Sequence, residues 1–221
     1  MIRLIIYDLD GTLIDSGKDI SDCVNQSLKE GGFEILPESV IKSYVGHGVV
    51  QLMSGVLTKA TGRVIDFNDP MAKKSVERYK NYYAQHLLDH TKLYSGVSRV
   101  LEFFKTRKQT IITNKPQEFS WQILKGLKVD HYFFTLIGGD QTFQKKPSPE
   151  SVFEVMKLAS AKPEETVFIG DSAIDIQTAK NAHVKVIAVT YGFSSKDELK
   201  KHTPDLIVND LQELTTCPLL V

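Results

Sequence analysis

The first fifteen residues, MIRLIIYDLDGTLID, constrain the fold more than any other stretch of the chain. The run Leu4-Ile5-Ile6-Tyr7 is short, rich in β-branched residues and apolar on both faces, which predicts a strand buried in the middle of a parallel sheet. Gly11-Thr12 breaks it. Two carboxylates, Asp8 and Asp10, follow the run with one spacer between them. They fall at the carboxyl end of the predicted strand, where open α/β sheets bind ligands. A carboxylate beside the last apolar residue is expensive to bury unpaired, so a cation or a reaction is expected at Asp8. Asp and Gly are also ordinary turn residues, so taken alone the stretch equally describes a strand that ends in a turn.

From Ser16 to about Asp89 the apolar residues keep helical spacing and no strand is predicted. Ile20, Val24 and Leu28 mark one face of a first helix, with Ser16 and Asp19 spaced as a capping box and Gly31-Gly32 at its end. Pro37 opens a second, with Val40, Ile41, Tyr44 and Val45 inward. Gly46-His47-Gly48 interrupts the pattern, and Val49, Leu52, Met53, Val56 and Leu57 resume it. Asp69-Pro70 opens a long helix with Val76, Tyr79, Tyr83 and Leu87 along its stripe.

From Leu93 onward strands and helices alternate, the pattern of a parallel sheet with crossover helices. Strands are predicted at Thr110–Thr113, Phe133–Ile137, Val167–Ile169, Val186–Val189 and near Leu206–Val208. The expected organisation is an α/β core domain from residues 1–15 and 92–221, with a helical domain inserted at 16–91.

A chain of 221 residues is long enough to bury a substantial core. Lys plus Arg and Asp plus Glu balance at 27 each, which argues against nucleic-acid binding and against a polybasic membrane patch. Cys23 and Cys217 lack metal or redox spacing, no apolar stretch reaches membrane-spanning length, and no signal peptide is evident. A cytoplasmic protein, monomer or homodimer, is expected.

Three later segments end predicted strands on the same side as Asp8. They are Thr113-Asn114, Lys145-Lys146-Pro147-Ser148-Pro149 near the third strand, and Gly170-Asp171-Ser172-Ala173-Ile174-Asp175. Each has a plain structural reading: a β-branched strand end, prolines that set up a helix, an N-cap with an acid in the first turn. Their joint occurrence in this order is much harder to explain that way.

In this order the segments resemble the four motifs of the haloacid dehalogenase superfamily phosphatases. The first stands here as Asp8-Leu9-Asp10-Gly11-Thr12-Leu13-Ile14-Asp15-Ser16, and the resemblance, with a helical C1-type cap after it, spans essentially the whole chain. Within the superfamily the chain is most similar to the phosphoglycolate phosphatase group, on DLDGTLIDS, Val45-Gly46-His47-Gly48, Tyr94-Ser95-Gly96-Val97 and Lys146-Pro147-Ser148-Pro149.

The resemblance implies a Rossmann-like, doubly wound parallel core and a Mg²⁺-dependent phosphatase acting on a small phosphorylated metabolite. It assigns Asp8 as nucleophile forming an aspartyl phosphate and Asp10 as the acid and base. Asp8, Asp171 and the backbone carbonyl of Asp10 hold the metal, and Asp175 sits behind them as an orienting group. Lys146, or Lys145 as the fallback, bridges Asp8 and a phosphoryl oxygen, while Thr113 binds another. Asn114, His47 and Gly48 are candidate substrate contacts. The substrate expected first is 2-phosphoglycolate. The alternatives are a pyrophosphatase, a nucleotidase, a sugar-phosphate phosphatase or mutase, or a non-enzymatic phospho-ligand binding protein. Asp10 argues against the dehalogenases of the superfamily, which lack an acid there.

Overall fold

The computed structural model describes residues 1–220. In chain order the first elements are β1 (Leu4–Tyr7), β2 (Ile14–Asp15), α1 (Gly17–Glu30), α2 (Glu38–Lys42), α3 (Val49–Thr61), α4 (Pro70–Tyr83) and β3 (Lys92–Leu93). The second part runs α5 (Val97–Phe103), β4 (Lys108–Ile112), α6 (Gln117–Gly126), β5 (Thr135–Ile137), α7 (Glu150–Ala159) and β6 (Thr166–Gly170). It closes with α8 (Ala173–Asn181), β7 (Lys185–Val189), α9 (Lys196–Lys201) and β8 (Leu206–Val208).

Six of these strands form one parallel sheet in the order β5-β4-β1-β6-β7-β8. The chain winds outward from β1 through β4 to β5, then returns to β6 and winds the other way. The reversal falls beside β1, and an open α/β sheet has its crevice at the carboxyl ends of the strands around such a point. The buried run of β1 sorts by period two: Ile5 and Tyr7 join one apolar cluster with α5 and α6, Leu4 and Ile6 the other with α7 and α8. With helices on both faces, an all-apolar β1 is what the sheet requires.

Helices α1 to α4 lie between β2 and β3. Their apolar stripes, including Val24, Leu28, Leu52, Met53, Tyr79 and Tyr83, belong to the same cluster as Ile5, Tyr7 and Ile111 of the sheet. Asp69 caps α4 by accepting from Met71 N, with Pro70 in the first turn, as its sequence predicts. No helix among the described residues is long and apolar enough to cross a membrane.

Two expectations are corrected. Ser16 and Asp19 do not form a capping box: Ser16 makes no side-chain cap bond, and its hydroxyl donates to Asp10 instead. The buried Asp19 carboxylate accepts from His90 N at 2.9 Å, Thr91 N at 2.8 Å and Thr91 Oγ1 at 2.7 Å, fastening the exit of the helical segment to its entry. The strand expected over Phe133–Ile137 is only Thr135–Ile137, because Asp130–Tyr132 make a 3₁₀ turn and Phe133 packs edge-on to Tyr7.

Beside Asp19, residues Ile14–Asp15 pair antiparallel with Lys92–Leu93, a ribbon too short to show a period in the sequence. Asp19→Ala is expected to destabilise the fold by about 3 kcal/mol, because one buried and one partly buried backbone donor and one buried hydroxyl lose a charged acceptor. Chemical denaturation measures this, and a change under about 0.5 kcal/mol contradicts it.

Candidate active site

The sheet register fixes the site. Tyr7 pairs with Ile111 on one side and Ile169 on the other, so the tips of β1, β4 and β6 end level and carry Asp8, Thr113 and Asp171 together. Lys146 arrives from the loop after β5, anchored by its backbone N–H donating 3.0 Å to Asn114 Oδ1.

Lys146 is buried, with Nζ 2.8 Å from Asp8 Oδ1 and 2.6 Å from Asp175 Oδ1. Its bond to Asp175 is well aligned; its approach to Asp8 Oδ1 is off-axis, and that buried oxygen has no hydrogen-bond partner. Of the two lysines, Lys146 reaches the carboxylates, whereas Lys145 is half-buried and borders a cleft. Burial pulls the Lys146 ammonium down, but the charges of Asp175 and Asp8 outweigh it and hold it above its ordinary value. For Asp8, burial and the Asp175 charge outweigh Lys146 and push its carboxyl up to about 7.

Asp171 accepts from Thr12 Oγ1 at 3.0 Å on one oxygen and from Phe193 N at 2.8 Å on the other. Burial, then Asp175 and Asp8, push its carboxyl well above the ordinary range. Its approach needs Gly11, at φ +87°, and Gly192: a Cβ on either would lie 2.3 or 2.4 Å from Asp171 Oδ2.

Asp8, Asp171 and Asp175 each present an oxygen within 4.8 Å of the others, all buried. Both oxygens of Asp175 are occupied, Oδ1 by Lys146 and Oδ2 by the N–H and hydroxyl of Ser172. Each Asp171 oxygen accepts a single bond from a neutral donor and keeps acceptor capacity, whereas Asp175 is committed to the Lys146 ammonium on Oδ1 and accepts twice on Oδ2, so Asp8 and Asp171 are the better cation ligands and Asp175 supports them. An all-oxygen set with an orphaned carboxylate oxygen fits a hard divalent ion.

On the other side of Asp8, Asp10 accepts from Ser16 and from Lys115 Nζ, 3.0 Å from Oδ1 and 3.2 Å from Oδ2. Lys115 Nζ also donates to Tyr83 Oη of α4 at 2.6 Å. Sequence reasoning passed over Lys115; its signal was a lysine directly after Thr113-Asn114 at a strand tip. Thr113 is buried there, its Oγ1 accepting from Lys115 N at 3.2 Å. The Asn114 amide donates to Gly46 O at 2.9 Å and Lys146 O at 3.2 Å, so it ties the Gly46 loop to the Lys146 loop across the site.

Two cavities meet at Asp8 and Asp10. One of about 330 Å³ opens between the exposed His47 with Lys42 and the core segment holding Asp171 and Phe193. The other, about 40 Å³, is walled by Val49, Leu52, Tyr79 and Phe119, touches Gly48 and Asn114, and has Lys115 as the cation of its lining.

A site of this make, at the reversal point of a doubly wound sheet, belongs to a hydrolase of phosphoric monoesters. The chain is a member of the haloacid dehalogenase-like hydrolases, whose family model matches residues 5–189. It is 34% identical over 215 residues to the phosphoglycolate phosphatase of Pseudomonas putida, covering 96% of this chain and 78% of that one. With the phosphoglycolate phosphatase of Vibrio parahaemolyticus it shares 33% over 217 residues, covering 96% and 94%. A solved structure from Haemophilus somnus, described as a predicted phosphoglycolate phosphatase, superposes with a TM-score of 0.91 at 27% identity over 97% of both chains. The β-phosphoglucomutase of Clostridium difficile shares the fold, with a TM-score of 0.79 at 18% identity, over 97% of this chain and 93% of its own.

Proposed function

We propose that this enzyme is a Mg²⁺-dependent phosphatase that hydrolyses 2-phosphoglycolate through an aspartyl phosphate on Asp8. The observation that carries the reading is the orphaned Asp8 oxygen, buried beside Lys146 at the meeting of two cavities.

In this reading Asp8 attacks phosphorus and the ester P–O bond breaks, with Asp10 giving its proton to the departing oxygen. Asp10 then takes a proton from the water that attacks the aspartyl phosphate, releasing inorganic phosphate and restoring Asp8. Lys146 keeps Asp8 aimed while offering a positive charge to a phosphoryl oxygen, and Thr113 with backbone N–H groups binds another. A Mg²⁺ ion held by Asp8, Asp171 and the Asp10 carbonyl would neutralise charge between the carboxylate and the phosphate dianion.

Residues 16–91 act as a cap that closes over the site and excludes water, turning on linkers at residues 15–17 and 90–94. His47 and Gly48 then contact substrate from the cap, and Asn114 acts there through its bond to Gly46. We infer a cytoplasmic setting, with the chain acting as monomer or homodimer.

The small cavity supports a small leaving group. At about 40 Å³ and walled by Val49, Leu52, Tyr79 and Phe119, it suits a compact leaving group such as a two-carbon acid. In a panel of phosphate esters followed by phosphate release, 2-phosphoglycolate is expected to exceed hexose phosphates and nucleotides in kcat/KM by about 100-fold or more. Equal turnover across the panel, or preference for a sugar phosphate, overturns the substrate.

A further inference from the structure

The reading above leaves one buried charge without a task. Lys115 has a side chain only 4% exposed, and it lines the small cavity together with Val49, Leu52 and Phe119. A buried lysine paired with one carboxylate is no more stabilising than apolar groups of the same volume, so stability alone does not explain it. Its three donors are distributed over Asp10 Oδ1, Asp10 Oδ2 and Tyr83 Oη, and the Tyr83 ring lies 4.5 Å from Nζ.

Asp10 does not depend on Lys115 alone, because the Ser16 hydroxyl also donates to it. A second anion entering the cavity can therefore take over Lys115 without leaving Asp10 unpartnered.

The position of that anion follows from the chemistry. Asp10 handles the oxygen that leaves phosphorus, so the leaving oxygen stands within hydrogen-bond distance of Asp10. Lys115 Nζ is 3.0 Å from the same carboxylate, and Asp10, Lys115 and Tyr83 all line the small cavity. In a phosphorylated 2-hydroxy acid the carboxylate is one carbon beyond that oxygen, which brings it to Lys115 and the Tyr83 hydroxyl.

We propose that Lys115 is the specificity-determining residue of this site, its ammonium receiving, with Tyr83, the carboxylate of a phosphorylated 2-hydroxy acid in exchange for Asp10. The proposal rests on the substrate class given above and adds the residue that reads it. It also couples recognition to the helical segment: Tyr83 belongs to α4 and Lys115 to the β4 tip, so the carboxylate is held from both sides of the closed site.

The test compares kcat/KM for 2-phosphoglycolate with that for ethyl phosphate, which has the same chain length and no carboxylate. In Lys115→Met the preference for the carboxylate ester is expected to fall by about 100-fold, the consequence of removing one partner of a desolvated charge pair. Tyr83→Phe, which keeps the ammonium, is expected to lower it by about 5-fold. A role confined to holding Asp10 lowers both esters by the same factor and leaves the preference intact, and that result overturns the proposal. Should Lys115→Met fail to fold by circular dichroism, Tyr83→Phe decides: an unchanged preference there overturns it as well. Wild-type enzyme that hydrolyses both esters equally overturns the substrate reading itself. A wild-type preference that persists in Lys115→Met overturns only the part given to Lys115.

Discussion

Asp8→Asn is expected to lose turnover by about 10⁴-fold or more while making the metal-free protein more stable. Asn fits the same space and keeps a dipole toward Lys146, but it cannot form the aspartyl phosphate. The stability gain follows from the titration of Asp8. Burial and the Asp175 charge raise its folded-state value from 3.8 to about 7.

A carboxyl whose folded value is raised contributes fully only below its unfolded value, and that contribution is lost as pH climbs through the folded value. Near pH 8 the ionised Asp8 is therefore a cost, on the order of 4 kcal/mol, that Asn removes. Lys146 keeps Asp175 as its partner. Thermal unfolding of the metal-free variant near pH 8 is expected several degrees above wild type. Turnover near wild type excludes Asp8 as nucleophile, and a lower melting temperature contradicts the electrostatic account.

Chelation is the second large effect. Phosphatase activity is expected to fall by about 10³-fold or more with a strong chelator and to return with Mg²⁺, since an anionic nucleophile otherwise meets an anionic ester. The same ion should show its place through pH without any turnover. Burial and the neighbouring carboxylates raise both folded-state values, Asp8 to about 7 and Asp171 well above the ordinary carboxylate range, so in the metal-free protein both hold protons at a pH where free carboxylates are ionised. A cation competes with those protons. The rise in melting temperature on adding Mg²⁺ is therefore expected to be small near pH 5 and to grow as pH climbs through the Asp8 value of about 7. A Mg²⁺ effect that does not vary with pH removes Asp8 and Asp171 from the metal site, and Asp8→Asn should flatten the curve.

The elements legible in the sequence were those whose signal is local. The run Leu4–Tyr7 is apolar at every position because both faces of the central strand are covered, and no pairing information is needed to see it. The stripes of α1, α3 and α4 are periodic because one face of each helix is buried, which is also visible without pairing information.

What escaped depends on partners far along the chain. Ser16 has the spacing of a cap, yet Asp10 outcompetes the helix terminus for its hydroxyl. Asp19 binds backbone 71 and 72 residues away. Lys145 and Lys146 are equivalent as letters, and only the approach of Nζ to Asp8 and Asp175 separates them. Lys115 was invisible as a site residue because its partners Asp10 and Tyr83 lie 105 and 32 positions away, on different layers of the fold.

The short ribbon of Ile14–Asp15 against Lys92–Leu93 brings the two ends of the helical segment side by side at one edge of the sheet's mouth. Topologically, that makes the segment a cassette: it leaves and rejoins the sheet at neighbouring points, so none of the six parallel strands has to be rethreaded when it is exchanged. A lineage can therefore swap or lengthen this piece to accept a different leaving group while the carboxylates and Lys146 stay where the strand tips put them.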